Sequence, residues 1–519
     1  MHQLGLSRFA KFSLAAIVAI VLLVNPGRAH AQVLSDTVAE AHRLRTSGSL
    51  PAAAALLQVY LTNHPDHGDA ARLLAQTLYW QKRPSDARRH YEDALARHPE
   101  DSALRLDYGQ MLIDMGDGTR AREVLRPLLG VAALNGRAEA LLGTLAYWNG
   151  DLANARRLLR AAANADSTQT GVRRMLDEIT VATSPWLETG GELRRDDQPL
   201  HRGAARATIG WYPGPATSLS TWIVSEALSV GDSLSDRVTM LTGRVTHNAP
   251  ALRLSTEIAG GMLRRSSASS DWVGLLDLGL HLSQRLVLHA AAERAPYLYT
   301  AASTSIPVIT NTFRASLQWA APGGWLGEAR VQAERYPDDN TVRTAYVWLL
   351  APVVNRSNAV FQVGYSVAAQ ESDESRFVPN QPSPSPGQGN TPTVTDGHYS
   401  PYYTPSALLV HSFIAATSVR LSPTVDIRLN GGYGVIAHED APFFTAAVGA
   451  IPPTIEPDFM RRKFSPWEMR GAVGMNLSPS LRLIADGQAG ASAFYHYTTV
   501  GARLSYRFAA AANRRLARH

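Results

Sequence analysis

Charged side chains of both signs recur at alternate positions along short runs in the C-terminal part of this sequence. On a β-strand, successive side chains point to opposite faces, so residues two apart share one face. Such a face around a water-filled lumen could determine which solutes pass. The charges could equally pair with one another and stiffen the wall. The candidate lumen residues are Arg253, Glu257, Arg314, Glu328, Arg330, Glu334, Asp426, Arg428, Arg482 and Asp486.

The sequence offers little material for catalysis. It has no Gly-x-Ser-x-Gly elbow, no His-Glu-x-x-His pair and no glycine-rich phosphate loop. The absence of cysteine excludes a thiol nucleophile, an iron–sulfur cluster, a disulfide and a lipid-modified cysteine. His64 and His67 lie in a turn without matching ligands. We therefore expect no catalytic residues, no metal and no cofactor.

About sixteen runs of roughly ten residues follow Ser184-Pro185 and alternate apolar with polar side chains. Clear examples lie at 313–319, 328–334, 425–430 and 481–488. Roughly ten residues is the length that a tilted strand needs to cross a bilayer. The pattern therefore indicates membrane-spanning strands.

The connections between these runs are sorted by length. Short, turn-like connections alternate with a set that includes long loops, an arrangement typical of outer-membrane barrels. Because every lipid-exposed backbone group needs a partner, such a sheet must close on itself. The short connections include 213–215, 248–250, 283–284, 322–324, 422–423 and 478–480, and the long ones are 295–309, 371–402 and 439–463.

Aromatic residues near the ends of the predicted strands fit the girdles that such barrels place at both membrane interfaces. They are Trp186, Trp211, Tyr212, Trp272, Trp319, Trp325, Trp348, Tyr497 and Phe508. The loop at 371–404 is dense in Pro, Ser, Gly and Gln. We expect it to be flexible, either as an extracellular lid or as a surface loop without a function.

The region before the strands shows a period of 34 residues, the period of tetratricopeptide repeats. Ala53, Ala87, Ala121 and Ala155 recur at this interval. Each repeat is a pair of amphipathic helices, and a small residue lets the helices approach closely. We expect about four repeats. Most of the residues that define them are explained by packing, and the candidates for contacts on the concave face are Arg72, Gln76 and Tyr79.

The N-terminus has the features of a secretory signal peptide. Arg8 and Lys11 precede an apolar run at 12–24, and Ala29-His30-Ala31 provides small residues for cleavage. The run is too short to span a bilayer as a helix. The predicted organisation is a signal peptide at 1–31, a periplasmic tetratricopeptide-repeat domain at 32–182, an outer-membrane β-barrel at 183–508 and a basic tail at 509–519.

This layout resembles the outer-membrane exporters of bacterial exopolysaccharides, such as the exporter of the cellulose synthase operon, and the YaiO-like barrels. Two short segments carry a resemblance in motif: Tyr399-Ser400-Pro401 with Tyr403, and Phe464-Ser465-Pro466. The resemblance implies that a polysaccharide leaves through the barrel and that the repeats recruit periplasmic partners. The cellulose exporter has many more repeats, so we do not expect this chain to contact an inner-membrane synthase directly.

Three functions remain open at this point. The first is a polysaccharide export channel in the outer membrane. The second is a docking protein whose plugged barrel only anchors the repeats among outer-membrane lipids. The third is a barrel enzyme acting on lipid or sugar. Nucleic acid is not an expected partner, because the net charge is only +6 and no basic cluster contains interleaved aromatic residues.

Overall fold

The computed structural model describes residues 26–131, 134–283, 285–321, 323–379, 393–446, 455–493 and 495–508. The chain forms two compact units, Met1–Asp177 and Glu178–His519. The tail predicted at 509–519 and residues 1–25 of the predicted signal peptide lie outside the described residues. The remainder of that peptide, from Pro26, begins the first helix.

Helices form the first unit, and the last of them crosses into the second. They are α1 (Pro26–Thr46), α2 (Leu50–Asn63), α3 (Gly68–Trp80), α4 (Pro84–Arg97), α5 (Ser102–Asp114), α6 (Gly118–Leu125), α7 (Asn135–Trp148), α8 (Leu152–Ala165) and α9 (Thr170–Ala182), with a 3-10 turn at Arg126–Gly130.

The turns within the helix pairs have the same backbone geometry at each repeat. Gly48, Lys82, Gly116 and Gly150 have positive φ angles of 85°, 63°, 77° and 73°. Glycine adopts this conformation without strain because it lacks a Cβ. The four positions are equally spaced along the chain, as the sequence period predicts, and Lys82 takes the conformation although it is not glycine.

Small residues allow the helices of a pair to pack closely, as expected. Gly109 of α5 faces Leu125 of α6, and a Cβ at Gly109 would overlap the Leu125 side chain. A Cβ at Gly143 of α7 would lie 2.8 Å from Cγ of Leu159 in α8. These helices cannot move apart freely, because they contribute to one buried core. The two glycines therefore determine how closely the helices pack.

Replacing Gly109 with leucine is expected to destabilise the helical unit by about 1–3 kcal/mol, the usual cost of overpacking a core. The helical circular dichroism signal of the full chain reports on this unit, so its thermal transition should move to lower temperature. Gly171→Ala is the matched control, because a Cβ there meets no atom within 4 Å. An unchanged transition for Gly109→Leu would show that the helices can separate at no cost.

Antiparallel strands form the second unit. They are β1 (Trp186–Asp196), β2 (Leu200–Gly214), β3 (Thr217–Val230), β4 (Ser233–Ala249), β5 (Leu254–Arg265), β6 (Asp271–His281), β7 (Leu286–Pro296), β8 (Ile309–Ala320), β9 (Leu326–Arg335), β10 (Thr341–Asn355), β11 (Ala359–Ser372), β12 (Phe377–Pro379), β13 (Thr393–Tyr399), β14 (Leu408–Ser422), β15 (Val425–Ala446), β16 (Ile455–Lys463), β17 (Trp467–Ser478), β18 (Leu481–Ala491) and β19 (His496–Arg507). A 3-10 turn (Pro250–Leu252) and a short helix α10 (Ala302–Ser305) lie in connections.

The sheet closes into a ring of sixteen strands. The first strand β1 pairs along its length with β2 on one side and with the last strand β19 on the other. The strands β12, β13 and β16 lie outside the ring, because β11 pairs directly with β14 and β15 pairs directly with β17. Both β13 and β16 pair with the C-terminal half of β15 and extend the sheet beyond the ring. The predicted closed barrel and its strand number are confirmed.

The connections are sorted between the two ends of the barrel. The end at which β1 begins and β19 ends carries short turns, such as 215–216, 423–424 and 479–480. The opposite end carries long connections, among them 297–308 and the described parts of 373–407 and 447–466. We call these the short-turn end and the long-loop end.

Candidate functional site

The register of the ring assigns each barrel residue to one of two faces, because residues paired on neighbouring strands point to the same side. One face exposes large apolar side chains, such as Leu193 at 62 %, Ile258 at 53 % and Phe413 at 62 %. The other face carries buried polar side chains, such as Thr242 and Ser366. Side chains are more crowded inside a barrel than outside it. The apolar face is therefore the outer face, and the polar one is the inner face that surrounds the lumen.

The inner face holds nearly all of the predicted lumen residues. Arg253 is the exception: it has a φ of +54° and lies in the turn between β4 and β5, so it is not part of a strand. The alternation of apolar and polar residues continues into this turn, so the predicted position of Arg253 on a strand is wrong. The residues placed on the inner face are Glu257, Arg314, Glu328, Arg330, Glu334, Asp426, Arg428, Arg482 and Asp486.

Many arginines and carboxylates of the inner face neutralise one another in ion pairs, within a strand, between neighbouring strands or across one intervening strand, as between β15 and β18. Asp426 accepts from Arg482 and also lies 3.6 Å from Arg428. Further pairs, with their nitrogen–oxygen distances, are Arg202–Glu192 at 3.0 Å, Arg244–Glu257 at 2.9 Å, Arg314–Glu293 at 3.8 Å, Arg470–Glu468 at 2.6 Å and Arg503–Asp486 at 3.8 Å.

Aromatic side chains also occur on the inner face, which partly corrects the predicted girdles. Trp186, Trp348 and Tyr497 lie on the inner face, because they pair with the inner residues Arg507, Glu328 and Gly490. The hydroxyl of Tyr497 is 2.7 Å from the Gln488 side chain and donates to Glu468 at 3.0 Å. Position near a strand end did not distinguish them from outward residues such as Trp272, Trp319 and Phe508, which are exposed.

A loop at the long-loop end folds into the barrel. Residues 297–308, between β7 and β8, form what we call the bridge loop. Its Leu298 is buried against inner-face side chains of β3, β4, β5 and β6. Its Ser303 and Thr304 are also buried. Sequence analysis identified this segment only as a long loop, and the run Pro296-Tyr297-Leu298-Tyr299, unusually apolar for an exposed loop, was the available signal.

A buried ion pair anchors the bridge loop to the wall. Arg265 of β5 donates to Asp236 of β4 at 2.6 Å, and the two side chains are 1 % and 0 % exposed. Arg265 also donates to the carbonyl of Ser303 at 2.9 Å. Asp236 accepts from the hydroxyl of Ser266 at 2.7 Å. The charge of each partner is compensated only while this arrangement holds.

Tyr299 of the bridge loop reaches the region of β1 and β19. The carbonyl of Tyr299 accepts from Gln198, which follows β1, at 3.3 Å. The guanidinium of Arg194 in β1 lies 5.9 Å from the Tyr299 ring and 4.3 Å from the Tyr497 ring. In the order of the strands, β1 is distant from β7 and β8 in both directions around the ring. The bridge loop therefore crosses the lumen.

The first resemblance motif, Tyr399-Ser400-Pro401 with Tyr403, packs against the bridge loop. The hydroxyl of Thr300 donates to the carbonyl of Pro401, and the Tyr297 hydroxyl accepts from the backbone NH of Tyr403 at 3.2 Å. Tyr399 is buried and packs against Tyr403 with a centroid distance of 4.8 Å. This part of the loop is therefore packed, contrary to our expectation of a flexible segment. Residues 380–392 lie outside the described part of the chain.

Tyr402, within the same motif, is the centre of a group of side chains that we call the mouth cluster: Tyr336, Asp338, Arg376 and Tyr402. The Tyr402 ring is buried and stacks on Tyr336 with a centroid distance of 3.6 Å. Its hydroxyl donates to Asp338 at 2.7 Å, and Arg376 donates to the same carboxylate at 2.9 Å. The cluster thereby connects the loop after β9 to the long loop after β11.

The second motif, Phe464-Ser465-Pro466, connects β16 to β17 beside β15. The carbonyl of Pro466 accepts from the NH of Gly434 at 2.6 Å, and the NH of Phe464 donates to Ala437 at 3.2 Å. Nearby, Glu439 of β15 is fully buried, accepts from the Tyr403 hydroxyl at 2.6 Å and pairs with Arg462. Both motifs thus have structural contacts at the long-loop end.

The predicted groove residues of the helical unit are engaged with neighbouring repeats. Arg72 donates to Asp107 at 2.9 Å, and Gln76 contacts both Asp107 and Arg45. Tyr79 is partly buried against the core. Trp80, next to Tyr79, is 51 % exposed, and the Arg45 guanidinium lies 4.5 Å from the centre of its ring. A partner contact through Arg72, Gln76 or Tyr79 stays a prediction.

The described residues include no group of three or more His, Asp or Glu side chains that could hold a metal ion. No helix in this part of the chain is long and apolar enough to span a membrane.

Comparisons with known proteins identify the helical repeat. The tetratricopeptide repeat family matches residues 81–145. None of the curated proteins matches the sequence. Among solved structures, one described as a bacterial polysaccharide outer membrane secretin shares 9% identity, with a TM-score of 0.45 over 63% of this chain and 99% of that chain.

Other solved structures are similar to the helices. Pseudomonas aeruginosa pilF shares 19% identity, with a TM-score of 0.28 over 30% of this chain and 70% of that one. YrrB, described as a TPR protein with an unusual peptide-binding site, shares 16% identity, with a TM-score of 0.25 over 28% and 75%. The chain thus combines a tetratricopeptide repeat with a closed antiparallel barrel of sixteen strands.

Proposed function

We propose that this protein is an outer-membrane channel through which a polysaccharide is exported, and that its helical unit lies in the periplasm and docks partner proteins. The observation that carries the proposal is the inner face of the barrel, which carries both ion pairs and aromatic side chains such as Trp348 and Tyr497. A sugar chain passing through a water-filled lumen can form hydrogen bonds with the charged side chains and stack its rings on the aromatic ones. The short-turn end would face the periplasm, because the helical unit precedes β1 and outer-membrane barrels keep short turns on that side.

The bridge loop gives this channel a closed resting state. It crosses the lumen from β7 and β8 towards β1, and the mouth cluster and the motif at 399–403 hold it together with the neighbouring loops. Export then requires the bridge loop to leave its position. Opening could be driven by a partner that binds the helical unit, or by the polymer itself. Either ligand favours the open arrangement only if it binds the open arrangement more tightly than the closed one.

Deleting the gene is expected to abolish surface polysaccharide without weakening the outer membrane as a barrier. The direct measurement uses the purified full chain in a planar bilayer. We expect low conductance at rest and brief openings that added polysaccharide blocks. Unchanged polysaccharide production after deletion would contradict the export function.

The crossing of the lumen also favours a second candidate, a docking protein whose barrel serves only as an anchor. In this case the bridge loop would be a permanent plug. The two functions predict different results for a chain in which the bridge loop is released: a polysaccharide-blocked current supports export, and a barrel that stays silent supports the anchor.

A further inference from the structure

Many of the charges of the inner face are compensated within the wall itself, although Glu328 has no ion-pair partner among the described residues. Arg244 lies 2.9 Å from Glu257, and Arg503 lies 3.8 Å from Asp486. Asp426 is shared between two arginines. A compensated pair presents little net potential to a group in the lumen, because the fields of its two members cancel over a short distance.

Several of the remaining inner arginines stack on aromatic rings. Arg330 lies 5.1 Å from the ring of Tyr346, and Arg507 lies 5.7 Å from that of Trp186. Arg194 lies 4.3 Å from that of Tyr497. A guanidinium on a ring face keeps its charge, but its position is fixed against the wall. It therefore serves as a hydrogen-bond donor at the edge of the lumen and does not reach into it.

A polymer with a charge on every sugar would still meet attraction or repulsion at the inner charges that lie outside these pairs, such as Glu328 and Arg330. A contact with an uncompensated opposite charge would form a deep well, and a contact with a like charge would form a barrier. An uncharged sugar chain meets hydrogen-bonding groups and ring faces of similar strength throughout, so it can slide. We infer, on the basis of the proposed export function, that the polymer this channel conducts is uncharged.

The test is the binding of three fluorescent oligosaccharides to the detergent-solubilised full chain, measured by anisotropy at low and high salt. All three are β-1,4-linked hexamers: neutral cellohexaose, anionic oligomannuronate and cationic chitosan. We expect cellohexaose to bind with a Kd that salt does not change. The charged hexamers should bind on the order of tenfold more weakly, or only at low salt.

Two variants remove one partner from an inner ion pair. Glu257→Gln leaves Arg244 uncompensated, and Arg503→Gln leaves Asp486 uncompensated. A single uncompensated charge near a ligand charge in water changes affinity by about fivefold. Glu257→Gln should therefore strengthen oligomannuronate binding, and Arg503→Gln should strengthen chitosan binding, while cellohexaose binding stays constant.

The outcomes separate the two proposals. Preferential binding of a charged hexamer to the unaltered chain would overturn the inference and leave polysaccharide export standing. Failure of all three hexamers to bind would remove the support for export and for the inference together. Variants that change the binding of all three hexamers alike would show that the ion pairs stiffen the wall and do not select by charge.

Discussion

Replacing Arg265 with alanine is expected to raise the conductance of the channel on the order of several-fold, because the bridge loop loses its anchor. The side chains of Arg265 and Asp236 are 1 % and 0 % exposed. Removing one partner of a buried pair costs about 3–5 kcal/mol, since the other charge stays buried without compensation. The variant also loses the hydrogen bond to Ser303. The strands keep their backbone ladder, so the bridge loop is the part that should move.

Arg237→Ala is the matched control for this experiment. Arg237 is the neighbour of Asp236 in β4, is exposed and points to the outer face, so its loss should leave the current unchanged. Heat-modifiable migration on a gel would show that each variant still forms a barrel. If folded Arg265→Ala conducts no better than the control, the bridge loop does not close the lumen.

The alternation of the sequence was sufficient to predict the barrel, because a two-residue period is a property of each strand alone. It placed Arg314 and Asp486 on the inner face, far apart in the chain but alike in their register. It failed at Arg253, where a turn with positive φ interrupts the strand. The alternation of apolar and polar residues does not by itself mark the residue at which a strand begins or ends.

The bridge loop and the mouth cluster could not be predicted in this way. Tyr402 contacts Asp338 and Tyr336 across a long sequence separation, and no periodicity relates them. Composition suggested flexibility for the loop at 371–404, yet Tyr402 is 1 % exposed. The face that an aromatic residue occupies could not be predicted from its position in the sequence either. Trp186 and Trp211 both lie near strand ends, but only Trp186 contributes to the inner face. Which side of the barrel an aromatic side chain faces follows from the strand register, and that register is a property of all sixteen strands together.

The mouth cluster is expected to hold the loops closed most strongly between about pH 4 and pH 10. Burial would raise the pKa of Asp338, but the hydrogen bond from Tyr402 and the charge of Arg376 outweigh it and keep that pKa below its ordinary value. Burial and the hydrogen bond to Asp338 raise the pKa of Tyr402 to about 12. The other titratable groups around the cluster are Tyr336 and Tyr297, which pack against Tyr402, Glu334, which accepts from Tyr336 at 3.3 Å, and Glu374, which pairs with Arg376 at 2.9 Å.

The signs of the two shifts determine this range. A carboxyl whose pKa is lowered by folding contributes stability above its ordinary pKa, near 4, and that stability disappears as the pH falls through the lowered value. A phenol whose pKa is raised contributes stability below its ordinary pKa, near 10, and loses it as the pH rises towards 12. The probability that the channel is open, measured in planar bilayers, should therefore increase at both extremes of pH.

Tyr402→Phe isolates the contribution of this cluster, because phenylalanine keeps the ring stacked on Tyr336 but cannot donate to Asp338. A hydrogen bond to a charged group contributes about 1.5–3 kcal/mol, so the closed-to-open ratio at pH 7 should fall by roughly ten- to a hundredfold. The increase in opening above pH 10 should be reduced in this variant. The control is Tyr365→Phe, a change on the outer face of β11, which should alter neither the closed-to-open ratio at pH 7 nor the increase above pH 10. A full alkaline increase in Tyr402→Phe would mean that a different group controls the opening.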